Sequence, residues 1–151
     1  MTEPIEVKVQ YLHPIWQGKR LDYATQYAVG LDLRACLDDE EVALEPGEKR
    51  PFATGVAIEI VTPNVAGFVF SRSGLGTKQG LVVTQGVGVI DPDYRGEIVV
   101  SLHNIAQGPR NVYQGQRIAQ LLFMPAFQAS LFPVHELSAT GRGKGGFGHT
   151  G

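Results

Sequence analysis

The chain has 151 residues, a length that suits one domain. Apolar residues make up 43% and charged residues 19%, so a core can be buried and disorder is excluded. A formal net charge of −2 excludes the basic face that non-specific duplex binding needs. The single cysteine, Cys36, excludes an internal disulfide and fits a reducing compartment. No zinc-ligand partners are spaced around it, so it reads as a small buried side chain. The opening MTEPIEVKVQYLH lacks a basic stretch followed by an apolar one, so no signal peptide is expected. No apolar run approaches the roughly 20 residues of a membrane span. The expectation is a soluble, cytoplasmic protein without a membrane or nucleic-acid partner.

Along the chain, strand patterns dominate. IEVKVQYL (5–12) alternates apolar and polar residues. AVGLDLRA (28–35) sets Asp32 between Leu31 and Leu33. If the leucines point inward, Asp32 points to a cleft or to solvent. There it suits orienting an arginine or holding a hydrated magnesium, and it equally suits plain solvation. GVAIEIV (55–61) and AGFVFS (66–71) read as strands, followed by RSGLGTKQG (72–80), a helix of a turn or two, too glycine-rich to be long. GLVVT (80–84), EIVVSLHNI (97–105) and QRIAQLLFMPAF (116–127) complete the strand series. Turn residues separate them in EPGE, TPN, DPDYRG and AQGPRN.

Many short strands and one short helix predict an all-β fold, a jelly-roll-like or distorted barrel. Composition changes only after about Ser138, so a body of 1–138 and a glycine-rich arm of 139–151 are expected. The apolar runs 81–90 and 118–127 are longer than one small sandwich face needs. They point to an oligomer in which strands or tails are exchanged.

GVGVIDPDYRGEI (86–98) ends an apolar run in Asp91. Asp-Pro and a following glycine make a turn, and a carboxylate on a rigid strand end also suits a general base. Tyr94 could offer its ring to a sugar or base. In FSRSGLGTKQG (70–80), Arg72, Ser73 and the amides near Gly74 suit phosphate oxygens, unless the segment is a plain strand–helix corner. Gln116 and Arg117 start a strand that would otherwise be an ordinary edge. His13, His103, His135 and His149 lack zinc spacing, and Trp16 reads as packing. No GxxxxGK[ST] occurs, and no βαβ unit surrounds the glycines, so neither a P-loop nor a dinucleotide fold is indicated. Arginines 72, 95 and 142 near glycines, with carboxylates at strand ends, form the inventory of a polyphosphate site with a divalent metal.

AVGLDLRA, RSGLGTK, GVIDPDYRGEI, GQRIAQLLF and RGKGGFGHTG, in that order across 28–151, resemble the five motifs of the trimeric dUTPase family. LDYAT (21–25) resembles the family's lead-in as well. The resemblance implies a β-clip, jelly-roll-like fold and a homotrimer with arm exchange. Its three sites would each draw motifs one, two and four from one chain, motif three from a second and motif five from the third. The implied reaction is hydrolysis of dUTP to dUMP and pyrophosphate with Mg²⁺, which limits uracil in DNA and supplies dUMP for dTMP synthesis.

By the same resemblance, Asp91 activates water against the α-phosphorus, and Arg72, Ser73, Gly74 and Gln116 hold the phosphates. Asp32 lies near the metal's water shell. Tyr94 packs beneath the deoxyribose, and the hairpin carrying Gln85, Gly86, Val89 and Ile90 reads uracil. Arg142 clamps the γ-phosphate and Phe147 stacks on the base, with Gly148, His149 and Thr150 completing the tail. Two positions depart from the family pattern. His149 replaces a usual hydroxyl residue, and Gln85 stands where bacterial members often carry asparagine. A dCTP deaminase of the same fold, or a nucleotide-binding module without catalysis, are the rival readings.

Overall fold

The computed structural model describes residues 4–147. Ten strands and one helix follow in chain order: β1 (Val7–Tyr11), β2 (Leu31–Arg34), β3 (Glu41–Leu44), β4 (Lys49–Ile60), β5 (Val65–Ser71), α1 (Ser73–Gln79), β6 (Leu81–Val83), β7 (Val87–Ile90), β8 (Glu97–Asn104), β9 (Arg110–Tyr113) and β10 (Arg117–Pro125). They form two four-stranded sheets, β1-β4-β8-β6 and β2-β10-β5-β7, and a ribbon of β3 with β9. Every pairing between these strands is antiparallel. The fold is all-β with one short helix, as the strand patterning implies.

The core lies between the sheets and follows the period-2 alternation of the strands. In β8, Ile98, Val100 and Leu102 are buried while Val99 between them is exposed. Leu33 of β2, Val56 and Ile58 of β4, and Ile118, Ala119 and Leu121 of β10 meet them from the other strands. Buried polar groups are paired. The Asn104 amide donates to the carbonyls of Leu44 (2.9 Å) and Gly108 (3.0 Å) and accepts from the Ala106 N–H (3.0 Å).

The expected strand at 55–61 is only the second half of a 12-residue strand. Its first half runs through Pro51, which reads as a breaker. It is tolerated because β1 covers only Val56–Ile60, so at Pro51 strand β4 has β8 on one side alone. Midway, Gly55 adopts φ +66° at a bulge between Ala53 and Ala57. That conformation favours glycine, and it turns the Gly55 N–H out of the ladder toward Glu97 Oε1 at 2.6 Å. The Trp16 indole donates to the adjacent Thr54 carbonyl at 2.8 Å, and Trp16 is buried.

Strands β3 and β9 are not marked by the sequence pattern. Each is four residues long, with Val42 paired to Val112 on the inner side and Glu41, Tyr113, Ala43 and Asn111 on the outer. Helix α1 is as short as its glycines predict and ends where Gly80 turns left-handed at φ 70°. Cys36 is half-buried rather than buried, beside the bulge. Between Pro125 and Phe147 the chain forms no helix or strand, and Phe127, Leu131, Phe132, Val134 and Leu137 stand exposed. Among the described residues no helix is long and apolar enough to cross a membrane.

Candidate active site

One end of the β2-β10-β5 sheet collects cations around a carboxylate. β10 lies between β2 and β5, pairing Gln120 with Asp32 and Ala119 with Ser71. This register brings Arg72, the first residue past β5, and Arg117, the first of β10, to the same aspartate. Arg72 Nε donates to Asp32 Oδ1 at 2.9 Å, and Arg117 Nη1 donates to Oδ2 at 3.1 Å. The Asp32 side chain is 15% exposed, that of Arg72 25% and that of Arg117 46%. One carboxylate against two guanidinium groups leaves a net positive charge facing outward.

The start of α1 adds donors to this patch. The first-turn amides of a helix have no acceptor within it, and here they belong to Ser73, Gly74 and Leu75. A Cβ at Gly74 would meet nothing within 4 Å, so packing does not demand this glycine. Close approach by a ligand is a use for the open space. Gln116 enters from the turn before β10. Its Oε1 accepts the Tyr113 N–H at 2.9 Å, which fixes the side chain and leaves its amide hydrogens to donate.

A second cluster surrounds the turn from β6 to β7, which is not the hairpin the sequence suggests, because β6 pairs with β8 and β7 with β5 in the other sheet. Gly86 holds φ 78°, and its N–H donates to the Val83 carbonyl at 3.0 Å, closing the turn. Gln85, Gly88, Val89, Ile90, Asp91 and Tyr94 line a cleft of about 260 Å³, with β8 beside it. The Gln85 amide lies over Gly88, near where a Cβ would sit. Asp91 is exposed at the end of β7, and its carbonyl accepts the Tyr94 N–H at 3.1 Å. The Tyr94 hydroxyl donates to the Glu97 carbonyl at 2.9 Å, folding the ring over Gly96, where a Cβ would meet the ring.

These two clusters do not meet within one chain. β7 runs antiparallel to β5 with Ile90 opposite Gly67, so Asp91 emerges beside the start of β5. Arg72 lies past the other end, after about 17 Å of extended chain at roughly 3.3 Å per residue. Asp32, Arg72, Ser73, Gly74 and Gln116 therefore share one place, and Gln85, Gly86, Val89, Ile90, Asp91 and Tyr94 another.

The described part of the tail, up to Phe147, reaches neither. Arg142 Nε donates to the Gly145 carbonyl at 2.8 Å in a local turn, and Phe147 is fully exposed. Gly148, His149 and Thr150 lie outside the described residues. Arg95 points away from the cleft, to a surface depression with Lys8 and Glu59. Arg117 is the residue whose part the sequence leaves unassigned. Its partner is 85 positions away, so only strand register reveals the contact. Burial, together with the nearby Glu97 charge, pushes the Cys36 thiol up to about 11. Among the described residues no three His, Cys, Asp or Glu side chains gather to cage a metal.

An antiparallel β domain with an arginine-and-amide patch at one end and a cleft tipped by a carboxylate at the other defines a protein class that handles phosphorylated small molecules. The dUTPase family profile matches residues 17–151, and the chain belongs to that family. It is 48% identical to the deoxyuridine 5'-triphosphate nucleotidohydrolase of Desulfitobacterium hafniense over 147 residues, 97% of each chain. The enzyme of the same name from Enterobacter sp. is 45% identical over 151 residues, 100% of this chain and 99% of the relative. Among solved structures, the Staphylococcus bacteriophage 80alpha dUTPase with dUpNHpp superposes with a TM-score of 0.83 at 26% identity, covering 97% of this chain and 98% of that one. The phage phi11 dUTPase shares the fold, with a TM-score of 0.76 at 24% identity over 89% of this chain and 99% of that one.

Proposed function

We propose that this chain hydrolyses dUTP to dUMP and pyrophosphate at sites shared between three copies of itself. The carrying observation is that the phosphate-binding patch around Arg72 and the cleft around Asp91 are complete in themselves yet lie at opposite ends of β5. A cyclic assembly brings the Asp91 end of one chain to the Arg72 end of the next. The exposed apolar row from Phe127 to Leu137 supports such an assembly, since a single chain leaves it without cover.

In the shared site, Arg72, the Ser73 and Gly74 amides and Gln116 bind the triphosphate. Asp32 holds Arg72 and Arg117 in place. Uracil enters the cleft beside the β6–β7 turn, where Gln85, Gly86, Val89 and Ile90 surround it. Tyr94 packs under the deoxyribose and leaves no room for a 2′-hydroxyl. Backbone groups matched to uracil reject cytosine by leaving buried donors unpaired, and a close-fitting cleft rejects the methyl of thymine. Asp91 accepts a proton from a water that attacks the α-phosphorus in line with the departing pyrophosphate. A positioned base of this kind supplies about 10²–10⁴-fold, and the charged patch supplies the larger electrostatic part.

Both oxygens of Asp32 are engaged by arginines. The residues present therefore fit Mg²⁺ carried in on the phosphates and touched through water, in the manner usual for this ion. What the ion supplies when bound is neutralisation of charge on the departing pyrophosphate.

Residues 1–138 form the body and 139–151 the arm, which closes over a filled site. Arg142 then reaches the γ-phosphate, Phe147 stacks on uracil, and Gly148, His149 and Thr150 complete the contact. Closure excludes bulk water and favours the triphosphate over its products. One half-buried thiol and no disulfide accord with work in the cytoplasm.

The test is pyrophosphate release with Mg²⁺ from dUTP against dCTP, dTTP and UTP, together with the variant Asp91→Asn. Turnover of dUTP alone, lost in the variant while nucleotide binding persists, is expected. Ammonia from dCTP, or undiminished kcat in Asp91→Asn, would overturn the reading.

A further inference from the structure

The turn that carries Asp91 and Tyr94 is built from exposed residues, 91–95, and has little core of its own. Side chains that face away from the substrate cleft or lie at its floor hold it instead. Arg95 Nη1 donates to the Pro92 carbonyl at 2.7 Å and to the Tyr94 carbonyl at 3.2 Å, bracketing the turn from behind. Its Nη2 lies 3.8 Å from Glu59 Oε1 on β4, and Lys8 Nζ reaches the same oxygen at 3.3 Å. Glu97 fastens the other side. Its carbonyl accepts the Tyr94 hydroxyl at 2.9 Å, and its carboxylate accepts the Gly55 N–H at 2.6 Å. That N–H is free for it only because Gly55 adopts φ +66° at the β4 bulge.

We infer that Arg95 and Glu97 are positioning residues that pin the Asp91–Tyr94 turn to strand β4, Arg95 through its carbonyls and Glu97 through the Gly55 bulge. Arg95 is turned away from the cleft, and Glu97 lies at its floor with its carboxylate held by the Gly55 N–H. This inference rests on the proposed role of Asp91. The physical argument is one of preorganisation. A general base displaced by about an ångström can lose on the order of 10²-fold in rate while substrate affinity, set mostly elsewhere, changes little. The two pins differ in what they require. Arg95 serves both turn carbonyls from Nη1 while Nη2 faces Glu59 on β4, a two-ended reach across the guanidinium that a single lysine ammonium does not reproduce. Glu97 needs only an acceptor oxygen, which a glutamine amide retains.

The experiment measures kcat, KM and Tm with dUTP and Mg²⁺ for Arg95→Ala, Arg95→Lys, Glu97→Ala and Glu97→Gln, with Lys8→Ala as control. Expected is a kcat about tenfold or more lower in Arg95→Ala and Glu97→Ala, with KM held within about twofold. Glu97→Gln restores most of the loss and Arg95→Lys little of it, while Lys8→Ala matches the parent. If the alanine variants keep the parental kcat, if KM moves instead, or if the losses track a fall in Tm without rescue by Glu97→Gln, the inference is overturned. Absence of dUTP turnover in the parent protein sinks the proposed function itself, which separates the two failures.

Discussion

Asp91 and Arg72 of one chain sit past opposite ends of the β5–β7 pair, with Ile90 matched to Gly67 and Val87 to Phe70 between them. A reaction that uses both must therefore take them from two chains. Intermolecular complementation follows. Asp91→Asn and Arg72→Ala should each be inactive alone. After co-refolding in equal amounts, about one site in four receives an intact Asp91 from one chain and an intact Arg72 from a neighbour. Activity near that fraction is the expected result of a turnover assay on the mixture. None at all would place both residues in the same chain's site.

Asp32 holds two arginines, Arg72 at 2.9 Å and Arg117 at 3.1 Å. In Asp32→Asn both cations lose their counter-charge and one loses its acceptor. Hydrogen bonds to charged groups are worth about 1.5–3 kcal/mol, so KM for dUTP should rise roughly tenfold or more. Raising Mg²⁺ should not restore it, because the loss lies in the orientation of the guanidinium groups. Recovery at high Mg²⁺ in a steady-state titration would instead make Asp32 a metal contact.

The tail ends its described part with Phe147 fully exposed and Arg142 bonded only to its own turn. Among the described residues, 139–147 contribute nothing to the core, so on deletion of 139–151 size-exclusion mass and Tm should match the full chain. kcat/KM should fall by about a hundredfold, because closure over the triphosphate is lost. Kinetics equal to the full chain would leave the arm without a part in the reaction.

Cys36 has its thiol raised from 9.0 to about 11, first by burial and then by the charge of Glu97. The thiolate is the nucleophile, so alkylation by iodoacetamide at pH 8 should be slower than for a free thiol. The linkage has a definite sign. The folded state keeps this proton where the unfolded chain has lost it, so the contribution is whole below pH 9 and lost as pH rises toward 11. Chemical denaturation across that range should show a decline that Cys36→Ala reduces. A slope unchanged in the variant would place the decline on other groups.

How much could be read without coordinates depended on how local the signal was. The alternation in 97–105 and the apolar stretch in 116–127 are properties of neighbouring residues, and they became β8 and β10. The glycines of 72–80 limited α1 to seven residues because each weakens a helix on its own account. Strands β3 and β9 escaped because four residues are too few to show alternation, and they acquire strand character only from the partner across the ladder, Val42 against Val112. The motif residues were legible as residues with the right chemistry near turns, and their order along the chain pointed to the family. What they touch was not. Arg117 meets Asp32 across 85 positions, and Arg95 turns its guanidinium to the back of the turn rather than to phosphate. Composition and periodicity determined an all-β body with a glycine-rich tail, since propensity and alternation act between near neighbours. Strand register alone decided that Asp91 and the Arg72 patch of one chain are separated, because hydrogen-bonded pairing between distant segments sets which ends coincide.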